Sequence, residues 1–253
     1  MTRELWVVSA GHLPYGDALA LQRDIASARI AGTVPHDVLL LVEHPPVVTL
    51  GRSARSQNMR CTPAFLASRG VEFHEVERGG DVTFHGPGQL VGYPIIDLKR
   101  HKQDLHWYLR QVEEALIVGL DDLGVSADRH PGLTGVWTQG RKIASIGVHA
   151  RDWVTWHGFA LNVTTDLSFF DLIVPCGIDG VVMTSVAREL GTEPDAAKVE
   201  GAIAAAFAEV FRLTPVTASL DSRAGEVDAA GLDLPRRRRT DRTVALHQTA
   251  ANG

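Results

Sequence analysis

A block dense in glycine and proline, RGGDVTFHGPGQLVGYPIID, runs from residue 78 to residue 97. Two stretches in and beside it, Val82–His85 and Leu90–Leu98, have the apolar pattern of strands. Interior glycine and proline weaken an ordinary core strand. Because glycine has no Cβ, however, it lets the backbone approach a ligand closely or adopt a positive φ. The block therefore predicts one wall of a binding site.

The composition is that of an ordinary globular protein. The chain has 253 residues, 45% of them apolar and 22% charged, which is enough for one large domain or two small ones. Its net charge of −5 argues against a general nucleic-acid binder, and no apolar run has the length of a membrane span. Two cysteines are too few for a disulfide framework. With no signal-peptide pattern at the N-terminus, we expect a cytoplasmic protein that binds neither nucleic acid nor membranes.

Helix and strand patterns alternate without a regular βαβ rhythm. Amphipathic helices with suitable capping residues are predicted from Pro14 to Gly32, from Asp104 to Gly124 and from Asp195 onward. Strands are predicted at Leu5–Val8, Asp37–Glu43, Val47–Leu50, Val71–Glu77, Val82–His85, Leu90–Leu98, Gly135–Thr138, Lys142–Ala150 and Trp153–Val163. The second and third of these strands are expected to meet across a turn at Pro45-Pro46, and the last three to be antiparallel neighbours. The pattern favours an α+β (mixed α/β) fold in which helices flank a largely antiparallel sheet.

The chain changes character near Pro215. Beyond that point large apolar residues are sparse, and a run of four arginines occupies positions 236–239. Such a segment buries too little apolar surface to order itself. We therefore predict one domain over residues 1–214 and a loosely ordered tail over residues 215–253.

Cys176 is a candidate nucleophile. It lies between Pro175 and Gly177, in a segment that reads as an irregular loop, and loops on a rigid scaffold are where reactive side chains tend to sit. A single cysteine with basic residues elsewhere in the chain is only a candidate signal, since a free cysteine is often a small buried hydrophobe. A nearby cation would favour its thiolate form.

Several basic side chains are candidates for that cation. Lys142 opens the strand segment KIASIG, and His85, His149 and His157 lie in other strand-like segments. An ordinary exposed lysine and satisfied core histidines remain alternatives. No histidine pair has metal-ligand spacing, and there is no P-loop or GxGxxG between a strand and a helix. We therefore expect neither a metal ion nor a nucleotide cofactor.

Four segments together resemble one family. RGGDVTFHGPGQLVGYPIIDL, KIASIGVHA, HGFALNV and IVPCGI occur here in an order and spacing similar to those of the lipoyl(octanoyl) transferases, the octanoyl-[acyl-carrier-protein]:protein N-octanoyltransferases. The resemblance covers about residues 39–190. It implies a fold like the catalytic domain of the biotin and lipoate protein ligases. It also implies transfer of an octanoyl group from octanoyl-acyl carrier protein to a lysine of a lipoyl domain, in 2-oxoacid dehydrogenases or the H protein of glycine cleavage. It requires no cofactor.

The resemblance also implies roles for individual residues. Cys176 would be the nucleophile, and Lys142 would favour its thiolate. His157 would be an auxiliary group. The segments expected to line the acyl site are Arg78, Gly79, Gly80, Asp81, Val82, Thr83, Phe84 and His85, then Ser145, Ile146 and Gly147, and Gly158, Phe159 and Ala160.

The expected geometry of the acyl site can be stated in more detail. Val82, Phe84 and Phe159 would form the apolar walls, and His85 would lie near the mouth. The backbone N–H groups near Gly147 and Gly177 would stabilise an oxyanion. Local steering of acidic substrates would come from two basic clusters, Arg52, Arg55 and Arg60 in one and Lys99, Arg100 and Lys102 in the other.

Two other functions remain open from the sequence. An ATP-dependent lipoate or biotin protein ligase would share the fold but need no cysteine. A non-catalytic octanoyl- or lipoyl-binding protein would form no acyl-enzyme. The oligomeric state is expected to be monomeric.

Overall fold

A computed structural model of the protein describes residues 3–178, 180–221 and 226–228. The strands are β1 (Glu4–His12), β2 (Asp37–Glu43), β3 (Val47–Leu50), β4 (Glu72–Glu75), β5 (Val82–His85), β6 (Gln89–Ile95), β7 (Val136–Thr138), β8 (Arg141–Arg151), β9 (Val154–Asn162), β10 (Thr214–Asp221) and β11 (Glu226–Asp228). The α-helices are α1 (Tyr15–Ala31), α2 (Pro63–Ser68), α3 (Leu105–Asp122), α4 (Val186–Leu190) and α5 (Ala196–Phe211).

A large sheet forms the centre of the fold. Its strand order is β11-β10-β1-β2-β6-β9-β8-β7. β1 pairs in parallel with β2 and β10, and the other neighbours in this sheet are antiparallel. The prediction of a mixed α/β fold with a largely antiparallel sheet is confirmed. β7, β8 and β9 are consecutive antiparallel strands, as predicted.

A second, three-stranded sheet has the order β4-β3-β5. The segment Pro45-Pro46 carries the chain from β2 into β3, but the two strands do not pair: they belong to different sheets. The expectation that they meet across a simple turn is therefore wrong. Neither proline has an N–H to donate to a strand ladder, which makes the pair suited to a crossing between sheets.

Helices cover both faces of the large sheet. On one face, the apolar stripe of α3 packs with α5 around a core that includes Leu116, Ile203 and Phe207. On the other face, α1 contributes Ala18 and Ile25 to a second core. The predicted caps are present: the Asp104 side chain accepts from the Trp107 N–H at 3.0 Å, and Gly32 ends α1 in the left-handed conformation.

The large sheet continues past the boundary predicted at Pro215. Residues 214–218 of β10 pair with residues 4–8 of β1, and β10 itself runs to Asp221. β10 therefore belongs to the sheet, between β1 and β11. Apart from β11, the remainder of the predicted tail lies outside the described residues.

Among the residues that the structure describes, no helix has the length and apolar character required to cross a membrane.

Candidate active site

The pocket that contains the candidate nucleophile lies between the two sheets. It encloses about 210 Å³. From the large sheet it is lined by Val91, Tyr93, Ser145, Ile146, Gly147, His157, Gly158, Phe159 and Ala160. From the small sheet and the segment before it come Arg78, Gly80, Asp81, Thr83 and His85, and the remaining lining residues are Tyr15, Gly132, Leu133, Thr134, Cys176 and Ile178. Pairing between β8 and β9 fixes the positions of several lining residues, because Ser145 lies opposite Ala160 and Gly147 lies opposite Gly158.

Cys176 and Lys142 are in direct contact. The Lys142 Nζ lies 3.1 Å from the Cys176 Sγ, although the two residues are 34 positions apart in the sequence. The Ser145 hydroxyl lies 3.7 Å from the same sulfur. A cation at this distance favours a thiolate over a thiol, which is the form that reacts as a nucleophile.

The turn that carries Cys176 has an unusual backbone. Cys176 has φ +57° and Gly177 has φ +67°, so both are left-handed. A Cβ on Gly177 would lie 2.6 Å from the Asp81 Oδ2, and Asn58 donates to that same oxygen at 2.5 Å. A non-glycine residue with positive φ is uncommon and often marks a functional position. The turn presents the sulfur to the pocket while the carboxylate packs behind it.

Lys142 is fully buried at 0% exposure, so the alternative of an exposed surface lysine is wrong. Its Nζ donates to the Thr134 carbonyl oxygen at 3.2 Å and lies 4.8 Å from the centroid of the Trp137 ring. The carbonyl and the ring face both suit a cation. Among the described residues, no carboxylate forms a salt bridge with Lys142.

Strand alternation divides the predicted residues of β5 between two environments. Thr83 and His85 face the pocket, as does Asp81 just before the strand. Val82 and Phe84 face the opposite way, into a separate apolar cluster, where Phe84 stacks on Phe169 with centroids 4.6 Å apart. The expectation that Val82 and Phe84 form walls of the slot is therefore wrong, because successive side chains of a strand point to opposite faces.

Three further expectations need adjustment. Phe159 borders the pocket, but its ring packs on Phe207 of α5, with centroids 5.3 Å apart. Gly79 is absent from the lining; its N–H donates to the Val148 carbonyl at 2.8 Å. His85, which we expected near the mouth, is buried and stacks on the buried Tyr15, with ring centroids 5.9 Å apart.

Neither predicted oxyanion donor is available. The Gly177 N–H donates to the Val174 carbonyl at 2.9 Å. Val148 accepts from Gly79, so its backbone faces away from β9. Because backbone groups alternate along a strand, Gly147 directs its N–H toward Gly158, its partner on β9.

Arg78 is a buried cation in the middle of the pocket wall. Its Nη2 donates to the Thr49 carbonyl at 2.8 Å and to the Thr49 hydroxyl at 3.0 Å, while its Nε has no partner. Burial lowers the pKa of this guanidinium, and the negative charges of Asp81 and of a Cys176 thiolate partly oppose that effect. Arg78 thus adds positive charge to the same pocket as Lys142.

Sequence reasoning missed several lining residues. These are Tyr15, Val91, Tyr93, Gly132, Leu133, Thr134 and Ile178. The sequence does carry one signal for this group, because Gly132 and Gly135 bracket Leu133-Thr134 directly before β7. Both glycines have positive φ, which marks an irregular loop beside a site.

The buried His85 should make folding sensitive to acid. Burial lowers the pKa of His85 from 6.5 to about 3. Below pH 6.5 the unfolded chain therefore binds a proton at this histidine, whereas the folded protein does not bind it until about pH 3. The free energy of unfolding therefore falls as the pH falls through this range. We expect His85→Gln to reduce the slope of the free energy of unfolding against pH by about 1.4 kcal/mol per pH unit between pH 6 and pH 4.

Urea unfolding at several pH values measures this effect. His106→Gln, at an exposed position of α3, is the matched control and should follow the wild-type protein. If the free energy of unfolding had the same dependence on pH in the wild-type protein and in His85→Gln, His85 would not be the source of the acid sensitivity.

Comparison with known proteins identifies the family of this chain. Residues 14–208 match the model of the lipoyl protein ligase A/B catalytic domain. An octanoyltransferase of Gloeobacter violaceus is 48% identical over 205 residues, which cover 81% of this chain and 89% of that protein. An octanoyltransferase of Rubrobacter xylanophilus is 52% identical over 203 residues, covering 79% and 90% respectively.

Solved structures share the fold at much lower identity. A lipoate-protein ligase A bound with ATP superposes with a TM-score of 0.70 at 17% identity, covering 88% of this chain and 91% of that one. A chain from the structure of a bi-partite lipoate protein ligase and its E2 lipoyl domain from Thermoplasma acidophilum also gives 0.70 at 17% identity, covering 87% and 89%. The predicted ligase-like fold is thus confirmed. So is the family resemblance inferred from the four sequence segments: the chain belongs to the lipoyl protein ligase A/B catalytic-domain family, in which its curated relatives are octanoyltransferases.

Proposed function

We propose that this protein transfers an octanoyl group from octanoyl-acyl carrier protein to a specific lysine of a lipoyl domain, through a thioester on Cys176. The acceptors would be the lipoyl domains of 2-oxoacid dehydrogenases and the glycine cleavage H protein. One observation carries the proposal: a cysteine sulfur 3.1 Å from a fully buried lysine amine, in a pocket between two sheets. The names of the relatives support the octanoyl group as the one transferred.

The first half of the reaction forms the acyl-enzyme. The Cys176 thiolate attacks the carbonyl carbon of the donor thioester, and the bond to the carrier's sulfur breaks. The departing thiolate takes a proton from the Lys142 ammonium, 3.1 Å from the Cys176 sulfur in the free protein. The products are a carrier thiol, a thioester on Cys176 and a neutral Lys142.

The second half passes the acyl group to the acceptor. A neutral lysine amine attacks the thioester carbonyl and gives up one proton to Lys142 as the amide forms. The carbon–sulfur bond breaks, which restores the thiolate and the ammonium. The Ser145 hydroxyl is the side-chain donor we assign to the negative charge on oxygen, because it lies 3.7 Å from the reacting sulfur.

The pocket has the extent that an octanoyl chain needs. Asp81 lies beside the Cys176 turn, and His85 lines the same pocket four residues further along an extended segment. Four residues of strand span about 13 Å, which accommodates an extended eight-carbon chain. Each CH₂ that leaves water contributes about 0.8 kcal/mol to binding.

One experiment separates this transferase from the two alternatives. The protein should octanoylate a lipoyl domain when given octanoyl-acyl carrier protein without ATP. A ligase would instead require free octanoate and ATP, and its activity would survive Cys176→Ala. A binding protein would give no product from either donor. Product formed only from free octanoate and ATP would refute the proposal.

The exposed arginines beside the pocket are assigned a role in donor capture. The loop after β3 lies against the pocket wall, because the Arg52 N–H donates to the Arg78 carbonyl at 3.0 Å, and Arg52 and Arg55 are both exposed. We propose a cytoplasmic, monomeric enzyme whose acidic carrier substrate is attracted by these charges.

Charge reversal tests this role. Arg52→Glu with Arg55→Glu should lower kcat/KM for octanoyl-acyl carrier protein by roughly tenfold at low salt, mainly through association, and less as salt screens the charges. The comparison is Lys99→Glu with Lys102→Glu, in the second predicted cluster, which should have the smaller effect because those lysines already lie near Asp97 and Asp104. An unchanged kcat/KM at low salt would show that Arg52 and Arg55 do not attract the acyl donor.

A further inference from the structure

Glu113 is a buried carboxylate that the reaction steps above do not use. It lies on α3 at 0% exposure. Its Oε2 accepts from Arg110 at 2.5 Å and from Arg129 at 3.1 Å, and both arginines reach it from partly exposed positions. Burying a carboxylate destabilises the fold by several kcal/mol unless the carboxylate is well paired. Its second oxygen therefore needs a partner as well.

The second oxygen of Glu113 has this partner in the loop before β7. Its Oε1 accepts from the Gly135 N–H at 3.1 Å. The same peptide unit carries the Thr134 carbonyl, which accepts from the Lys142 Nζ at 3.2 Å. Because a trans peptide is planar, its N–H and C=O point in opposite directions. Holding the N–H toward α3 therefore aims the carbonyl at Lys142.

The surroundings of Gly135 make this peptide a tight part of the site. Gly135 has φ +134°, and a Cβ there would lie 2.8 Å from the Lys142 Cε and 2.7 Å from the Ala144 carbonyl oxygen. The peptide thus packs directly on the lysine side chain. A chain of hydrogen bonds from carboxylate to amide to ammonium also strengthens each member by polarisation.

We propose that Glu113 is a positioning residue for the Cys176–Lys142 pair: its carboxylate fixes the orientation of the Thr134–Gly135 peptide, whose carbonyl holds the Lys142 amine against the Cys176 sulfur. The role rests on the acyl transfer proposed above. Glu113 touches neither substrate nor the reacting atoms. If the peptide turned over, it would present an N–H to an ammonium that needs an acceptor.

Two substitutions test this role. Glu113→Asp keeps the charge but withdraws the oxygen from the Gly135 N–H by one methylene. Glu113→Gln keeps the length of the side chain but has one acceptor oxygen, which faces Arg110 and Arg129, so its NH2 group meets the Gly135 N–H donor to donor. Arg78 and Asp81, the other charged groups that line the pocket, are unchanged in both variants. Glu114→Asp is the matched control, because Glu114 also accepts from Arg129 but lies on the surface.

We expect Glu113→Asp to lower kcat by roughly tenfold, with KM for the acyl donor changed less than about twofold. The pH midpoint for iodoacetamide alkylation of Cys176, measured with Cys61→Ser in the background, should rise. Glu113→Gln should lower kcat at least as much as Glu113→Asp, because the acceptor for the Gly135 N–H is lost in both, and Glu114→Asp should match the wild-type value. A wild-type kcat in Glu113→Asp or in Glu113→Gln would overturn the proposal.

A measurement on the wild-type protein keeps the proposal testable if Glu113→Asp does not fold. The Gly135 amide should exchange its hydrogen slowly in solution, because it is bonded to a buried carboxylate. Exchange as fast as that of an open loop would contradict the proposed contact. If the wild-type protein forms no acyl-enzyme, the transferase function fails, whereas alkylation needs no donor and still tests Glu113.

Discussion

Replacing Cys176 with serine is expected to abolish octanoyl transfer while leaving the fold intact. Serine occupies nearly the same volume and keeps the contact with Lys142, but its hydroxyl is not ionised near neutral pH. The loss in kcat should be roughly 10³-fold or more, as is usual when a nucleophile is removed from a unit of interacting groups. Steady-state transfer from octanoyl-acyl carrier protein to a lipoyl domain measures it.

Cys61→Ser is the matched control for this experiment. Cys61 is half-buried, and its sulfur lies 3.6 Å from the Leu172 carbonyl, outside the pocket. Its replacement should leave transfer unchanged. If Cys176→Ser retained activity close to that of Cys61→Ser, the octanoyl group would have to pass directly between the two substrates, and the covalent mechanism would be wrong.

Lys142→Ala is the second change with a large expected effect. It removes the cation 3.1 Å from the sulfur and also the group that we assign to proton transfer. We expect kcat to fall roughly 10²- to 10⁴-fold. The pH midpoint for alkylation of Cys176 should rise, because an adjacent opposite charge is lost. Lys198→Ala, at an exposed position of α5, is the control.

Lys142→Arg distinguishes the two roles of the lysine. Arginine keeps the positive charge but remains protonated and cannot accept a proton from the incoming amine. Alkylation should therefore stay close to the wild-type midpoint while transfer to the lipoyl domain fails. An unchanged alkylation profile in Lys142→Ala would show that the lysine does not stabilise the thiolate. Full octanoyl transfer by Lys142→Arg would show that the lysine does not accept the proton.

The contact between Cys176 and Lys142 could be anticipated from the sequence, but only in part from the residues alone. A cysteine between proline and glycine suggested a loop nucleophile, and the structure places it in a left-handed turn. Lys142 was one of several candidate cations by spacing. The family resemblance singled it out, and only tertiary packing brings it to the sulfur.

The errors have a common physical origin. The segment from Val82 to His85 was correctly predicted as a strand, and its two faces follow from the alternation of side chains. Which face lines the pocket depends on how the small sheet lies against the large one, and strand pattern does not encode that. Likewise, the N–H groups of Gly147 and Gly177 looked free, but their availability depends on partners distant in the sequence.

Glu113 shows the same limit from the helix side. It lies between Val112 and Glu114 within the predicted amphipathic helix, where two adjacent acidic residues indicate only polar positions. Its role depends on the Gly135 N–H, 22 residues further along, and on the Lys142 amine, which donates to the carbonyl of the same peptide. Such a contact is visible only after the helix, the loop and β8 have been brought together.

The covalent intermediate is the central claim, and mass spectrometry of the intact protein tests it most directly. After incubation with octanoyl-acyl carrier protein and no acceptor, the protein should gain the mass of one octanoyl group, located on the peptide that contains Cys176. The adduct should be absent in Cys176→Ser and should disappear when a lipoyl domain is added. Octanoyl transfer to the lipoyl domain without any adduct on Cys176, at any pH at which the protein is active, would contradict the account.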